Sequence, residues 1–193
     1  MLDGNINVKD STVKTKIDEW YQTNMTGYTS QLEDTVFCND RTYYNFDTSG
    51  WNKDYSNIEK DLYFGSYQRT KNNSPSLVCP RQIDSFTVNI SNGNGNLTYP
   101  VGMITADEIV YVGVPLFATN TSCYLYNGVD NLSISPGDIG SWTSFSFSLT
   151  RSGQFSIGGG LNSLFGVRPV VSLKQGIAIS GGIGTAESPF VIS

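Results

Sequence analysis

The 193-residue chain is predicted to fold as one β-rich α+β domain spanning residues 1–193. The expected frame is a twisted, mostly antiparallel sheet with an N-terminal helix, a short second helix and long structured loops. Three observations predict it. Short apolar runs of period two recur between Gly- and Asn-rich turns, the mark of half-buried strands. Only two segments carry helix signals. Aromatic residues are abundant (12%) and charged ones scarce (15%), which suits strands under a hydroxyl-rich surface. The length supports one well-filled core and is short for two.

Residues 1–10 are expected to form a poorly ordered leader. Residues 10–25, "DSTVKTKIDEWYQTNM", place Val13, Ile17, Trp20 and Tyr21 on one helical face. Asp10 or Ser11 can cap the start and Gly27 can end it. Residues 40–76 hold eight aromatics without a sustained period, so a long structured excursion is expected there. Trp51 and Tyr55 are its candidate contact residues, with buried anchors as the competing role.

Beyond Cys79, "DSFTVNI" aligns Phe86, Val88 and Ile90 on one strand face. The cluster "SNGNGN" reads as a turn in which Gly93 or Gly95 supplies a positive φ. It lacks the carboxylates that a calcium loop needs, and no metal or cofactor is expected. Tyr99, Val101 and Met103 share a face of the next strand. Thr105 followed by Glu108 forms a capping-box pattern, so a short helix should start near Ala106. Asp107 and Glu108 then lie in a first helical turn, where the helix dipole favours negative charge.

"CYLYNG" and "LSISP" read as two short strands. "SWTSFSFSLT" alternates Phe145, Phe147 and Leu149 inward with Ser144, Ser146, Ser148 and Thr150 outward, and "RSG" turns it into "QFSI" as a hairpin. "GGGLNSLFG" is a flexible connection. In "GVRPVVSLK", Pro169 marks an edge position or a bulge. A buried unpaired guanidinium costs several kcal/mol, so Arg168 must reach water or a carboxylate. Asp107, Glu108 and Asp138 are its candidate partners in a frame clamp.

Cys38 and Cys79 flank strand ends. A bridge between them would contribute about 4 kcal/mol through the loop it closes. Three reduced thiols is the alternative, and Cys123 reads as a small buried residue within a strand.

Net charge is −5 with no basic stripe, so nucleic acid and anionic membrane surfaces are not expected partners. Histidine is absent, which excludes Ser-His-Asp and Cys-His chemistry. No run approaches a membrane span. The start "MLDGNINVKD" lacks a signal-peptide pattern, implying either a cytosolic protein or a piece of a longer exported chain. The abundance of Tyr, Asn, Ser and Thr, with few Lys, favours the second.

Several stretches carry a resemblance together: "DTVFCNDR" (34–41), "SLVCP" (76–80), "LTYPVGMITADEIVYVG" (97–113), "YLYNG" (124–128), "LSISP" (132–136), "GVRPVVSLK" (166–174) and "GIGTAESPFVI" (182–192). In order and spacing they resemble uncharacterised domains of exported or surface-attached proteins of Gram-positive gut bacteria. More distantly, the pattern is similar to the C-type-lectin-like fold shared by formylglycine-generating enzymes and retroelement-diversified proteins. That resemblance implies a ligand-facing surface near residues 137–165, with Trp142, Ser144, Ser146, Asn162 and Phe165 as candidate positions. No cysteine follows Cys123, so formylglycine-generating activity is not implied.

The expected role is an extracellular, non-enzymatic recognition or display module for a carbohydrate or protein ligand on a cell surface. Two alternatives stand beside it. One is a structural spacer of a surface protein. The other is a glycan hydrolase pairing Asp138 with Asp107 or Glu108, its carboxylates about 5–9 Å apart.

Overall fold

The structure, a computed structural model, describes residues 7, 9–44, 62–139, 144–160, 164–185 and 187–192. It is a mixed α+β arrangement of small antiparallel sheets and short helices.

Helix α1 spans Thr12–Asn24 and starts on Ser11, whose side chain accepts from the Lys14 amide. It buries Ile17 and Tyr21, with Val13 and Trp20 partly covered beside them. Tyr21 stacks on Tyr99 at 4.7 Å. Gly27 does not end the helix. The last turn closes at Met25 and the chain continues as a 3-10 helix over Thr26–Gln31. Strand β1 (Leu32–Glu33) follows, then β2 (Phe37–Cys38) and β3 (Tyr43–Tyr44).

The long excursion carries elements of its own, β4 (Leu62–Phe64) and α2 (Gly65–Lys71), so the helix expected near Ala106 is the third. Trp51 and Tyr55 lie outside the described residues, as does most of the leader. Strand β5 is only Ser85–Phe86 and pairs with β2. The longer strand expected over residues 84–90 does not form, and Val88 and Ile90 are exposed. The reason is a tertiary contact. The Asp34 carboxylate accepts the amides of Val88 and Asn89 at 2.7 and 2.8 Å, so these groups need no ladder partner. Gly95, at φ +68, makes the turn that follows.

Strand β6 (Gly102–Met103) leads into α3 (Ala106–Tyr111). Both halves of the Thr105–Glu108 capping box are present. Cys123 lies in a turn, not a strand, and is a free thiol. Strands β7 (Asn131–Ile139), β8 (Ser144–Leu149) and β9 (Phe155–Gly160) complete a sheet ordered β3-β4-β7-β8-β9. The β8–β9 hairpin turns at Gly153, φ +80.

The last apolar run splits. Strand β10 (Pro169–Val170) pairs with β6, and β11 (Ser172–Leu173) pairs with β1. Strands β12 (Ile179–Gly181) and β13 (Val191–Ile192) pair with each other.

Two apolar clusters flank the five-stranded sheet. One joins Phe147, Leu149 and Phe155 to Ile109, Val110 and Val114 of the α3 region. The other joins Ile17 and Tyr21 to Leu32, Val101 and Met103, with Leu132 and Ile134 against it. Register explains a correction here. Ser148 pairs with Leu132 and Ser146 with Pro136, so the serine face of β8 follows β7 toward the second cluster. Ser146 and Ser148 are therefore buried, not outward-facing.

Cys38 and Cys79 form a disulfide. Two carboxylate networks flank it. Asp84, fully buried, accepts from Arg41 Nε at 2.6 Å and Arg81 Nε at 2.8 Å. Asp107 accepts from Arg69 Nε at 2.7 Å, Arg69 Nη2 at 2.8 Å and the Ser76 amide at 2.9 Å. Asp40 Oδ2 lies 2.8 Å from Arg69 Nη1, a charge contact without hydrogen-bond alignment, and its other oxygen accepts from Thr42. Burial alone would lower the pKa of Arg69; the hydrogen bonds of Asp107 and the charges of Asp107 and Asp40 outweigh it and hold the guanidinium above its ordinary value.

The clamp on Asp107 is made by Arg69 of α2 and not, as expected, by Arg168 of the last long run. Arg168 is half-buried and forms no ion pair or hydrogen bond with a described residue. Its proposed partners are engaged elsewhere: Asp107 by Arg69, Glu108 by the Thr105 amide and hydroxyl, and Asp138 within the fold.

Candidate functional site

Trp142, Asn162 and Trp51 lie outside the described residues, as does the side chain of Ser144. Ser146 is buried, Phe165 is half-buried and its neighbour Leu164 is fully open to solvent. Asp107 and Glu108 are hydrogen-bonded within the α3 frame, Asp107 to Arg69 and the Ser76 amide and Glu108 to the Thr105 amide and hydroxyl.

A different place has the geometry of a site. A cavity of about 650 Å³ opens where α1 meets β2, β5 and β6. This volume lies within the range of small-molecule sites. Its wall is built by the helix period. Val13 and Ile17 are one turn apart on the face of α1 that packs inward, and Lys14 and Asp18 stand one position around from them. The opposite wall comes from two-stranded pairing: Phe37 of β2 lies in register with Phe86 of β5. Val101 and Met103 close the floor, with Ile134 of β7 behind them.

Gly102 sets the closeness of that floor. A Cβ there would sit 2.3 Å from the Phe37 ring, so only glycine lets the ring lie on the β6 backbone.

The rim is polar and its main charges are matched. Lys14 Nζ lies 2.6 Å from Asp18 and 3.3 Å from Asp10, and also donates to Thr98. Burial opposes the Lys14 charge, but hydrogen bonding and attraction from Asp18 and Asp10 prevail, and its pKa is raised. Arg41 donates to Asp84 and to Asn7 Oδ1, and its guanidinium lies over the Phe86 ring at 5.9 Å. Asn39 and Asn96 also line the cavity, and their side-chain amides have no partner among the described residues. Lys9 stands exposed on the outer lip.

The arrangement sets a polar, charged rim over an apolar interior. No group of three or more Cys, Asp or Glu side chains among the described residues is placed to hold a metal ion. No described helix is long and apolar enough to cross a membrane.

The cavity was not legible in the sequence. Its walls come from residues 7–18, 37–41, 86–103 and 134, and no local pattern joins them. The one hint was the Cys38–Cys79 pairing, which draws the segments after β2 and before β5 together. Comparison with protein-family models, curated proteins and solved structures gives no match.

Proposed function

We propose that the chain is a non-enzymatic extracellular recognition or display module of a bacterial surface protein, on a C-type-lectin-like frame. The observation that carries this is the cavity between α1 and the β2–β5 pair: an apolar floor under a rim of internally paired charges and two unpaired amides. Such a surface suits selective binding, because apolar contact supplies affinity and a few fixed polar groups supply orientation. The disulfide supports residence in an oxidising compartment. The engagement of Asp107 and Glu108 in the frame weighs against a carboxylate-pair hydrolase.

The test is a binding screen of the disulfide-intact chain against cell-surface glycans and surface-protein extracts. A saturable ligand supports the module. A chain that binds nothing in either set is a spacer, and the proposal falls.

A further inference from the structure

We infer that the α1–β2–β5 cavity takes a short neutral saccharide, on the order of one to three pyranose rings. This deepens the recognition proposal and rests on it. The first reason is charge. Lys14 faces Asp18 and Asp10 across the rim, and Arg41 is bound to Asp84. An anionic ligand would meet those carboxylates, and a cationic one would meet those cations. Either would lose hydration without gaining an unopposed partner. Lys9 is too exposed to select an anion, because solvent screens it.

The second reason is the unpaired chemistry. Asn39, half-buried, and Asn96, exposed on the rim, each carry a donor and an acceptor on one amide, and neither amide is used inside the fold. A pair of adjacent hydroxyls on a sugar ring matches that pattern, since each hydroxyl can both donate and accept. Asn39 is half-buried, so its amide has lost part of its water and gains from a ligand that replaces it. The third reason is the floor. Phe86 is partly exposed there and offers the C–H face of a pyranose an apolar contact, while Phe37, Val101 and Met103 are buried behind it and hold it in place.

The experiment is a panel of neutral hexose and N-acetylhexosamine oligomers, the corresponding uronate and sulfated oligomers, and short uncharged peptides. Hits are followed by calorimetry. Neutral oligomers should bind, and Asn39→Ala and Asn96→Ala should each weaken them about three- to tenfold. These amides hold nothing else in place, so both variants should unfold at the same temperature as the parent chain. Preferential binding of acidic sugars or of peptides overturns the inference. So does neutral-sugar binding that both variants leave within twofold. A ligand bound with no dependence on Asn39 or Asn96 overturns this site while leaving the recognition proposal standing. No ligand in this panel or in the broader screen overturns both.

Discussion

Arg69 of α2 holds Asp107 of α3 through two parallel hydrogen bonds, 2.7 and 2.8 Å long, while its third nitrogen faces Asp40. One planar guanidinium thus ties three distant chain segments together. The Ser76 amide, donating to the same Asp107, adds a fourth. Bidentate geometry favours arginine here over lysine.

Truncating Asp107 leaves the mostly buried Arg69 guanidinium with Asp40 alone and strips the Ser76 amide of its acceptor. Asp107→Ala should cost about 3 kcal/mol or more of unfolding free energy in urea. Arg168→Ala should cost about 1 kcal/mol or less, since it breaks no ion pair with a described residue. Equal losses for the two would return the clamp to Arg168.

The disulfide joins cysteines 41 positions apart. Replacing both with alanine should remove about 4 kcal/mol by the loop-entropy estimate. Thiol counting on the unfolded, unreduced chain should find one free sulfhydryl, that of Cys123. Three free sulfhydryls would show that the bridge does not form.

Ser135 Oγ accepts the buried Ala106 amide at 3.0 Å, at the first residue of α3. Ser135→Ala should cost about 1–3 kcal/mol, because it leaves that donor without a partner. Thr105→Ala, which removes the cap itself, should cost about 1 kcal/mol. Thermal melts of the two variants measure both.

Alkaline pH should weaken the fold. The Lys14 pKa is raised in the folded state, against an ordinary value of 10.5, so its contribution is complete below that value and is lost as pH rises through the folded one. The Tyr67 hydroxyl is also raised, first by burial and then by the charge of Asp138, and its effect runs the same way above pH 10. The melting temperature should therefore decline above pH 10, and less steeply in Lys14→Met. An unchanged slope in that variant would remove Lys14 from the account.

What the sequence disclosed was local. The pair Asp10 and Ser11, of which Ser11 forms the cap, and Thr105–Glu108 announced two helix starts, because a cap is written within four residues. Gly153 announced the β8–β9 hairpin for the same reason. Helix α2 was hidden, since it is seven residues long, begins at Gly65 and has no side-chain cap. The alternation over residues 84–90 misled, because the Asp34 carboxylate, about fifty positions away, takes the amides a strand would have used. The serines of β8 misled because covering a sheet's second face is a tertiary event. The arginine of the clamp and the walls of the cavity depend on contacts across the chain, which periodicity does not encode.

The claim that the cavity is a ligand site is tested most directly by amide-resolved NMR titration of the intact chain with a neutral oligosaccharide. Saturable shifts are expected at the backbone of Asn39, Phe86, Asn96 and Gly102, and at the Asn39 and Asn96 side-chain amides. Shifts confined to other surfaces, or none at millimolar sugar, would contradict it.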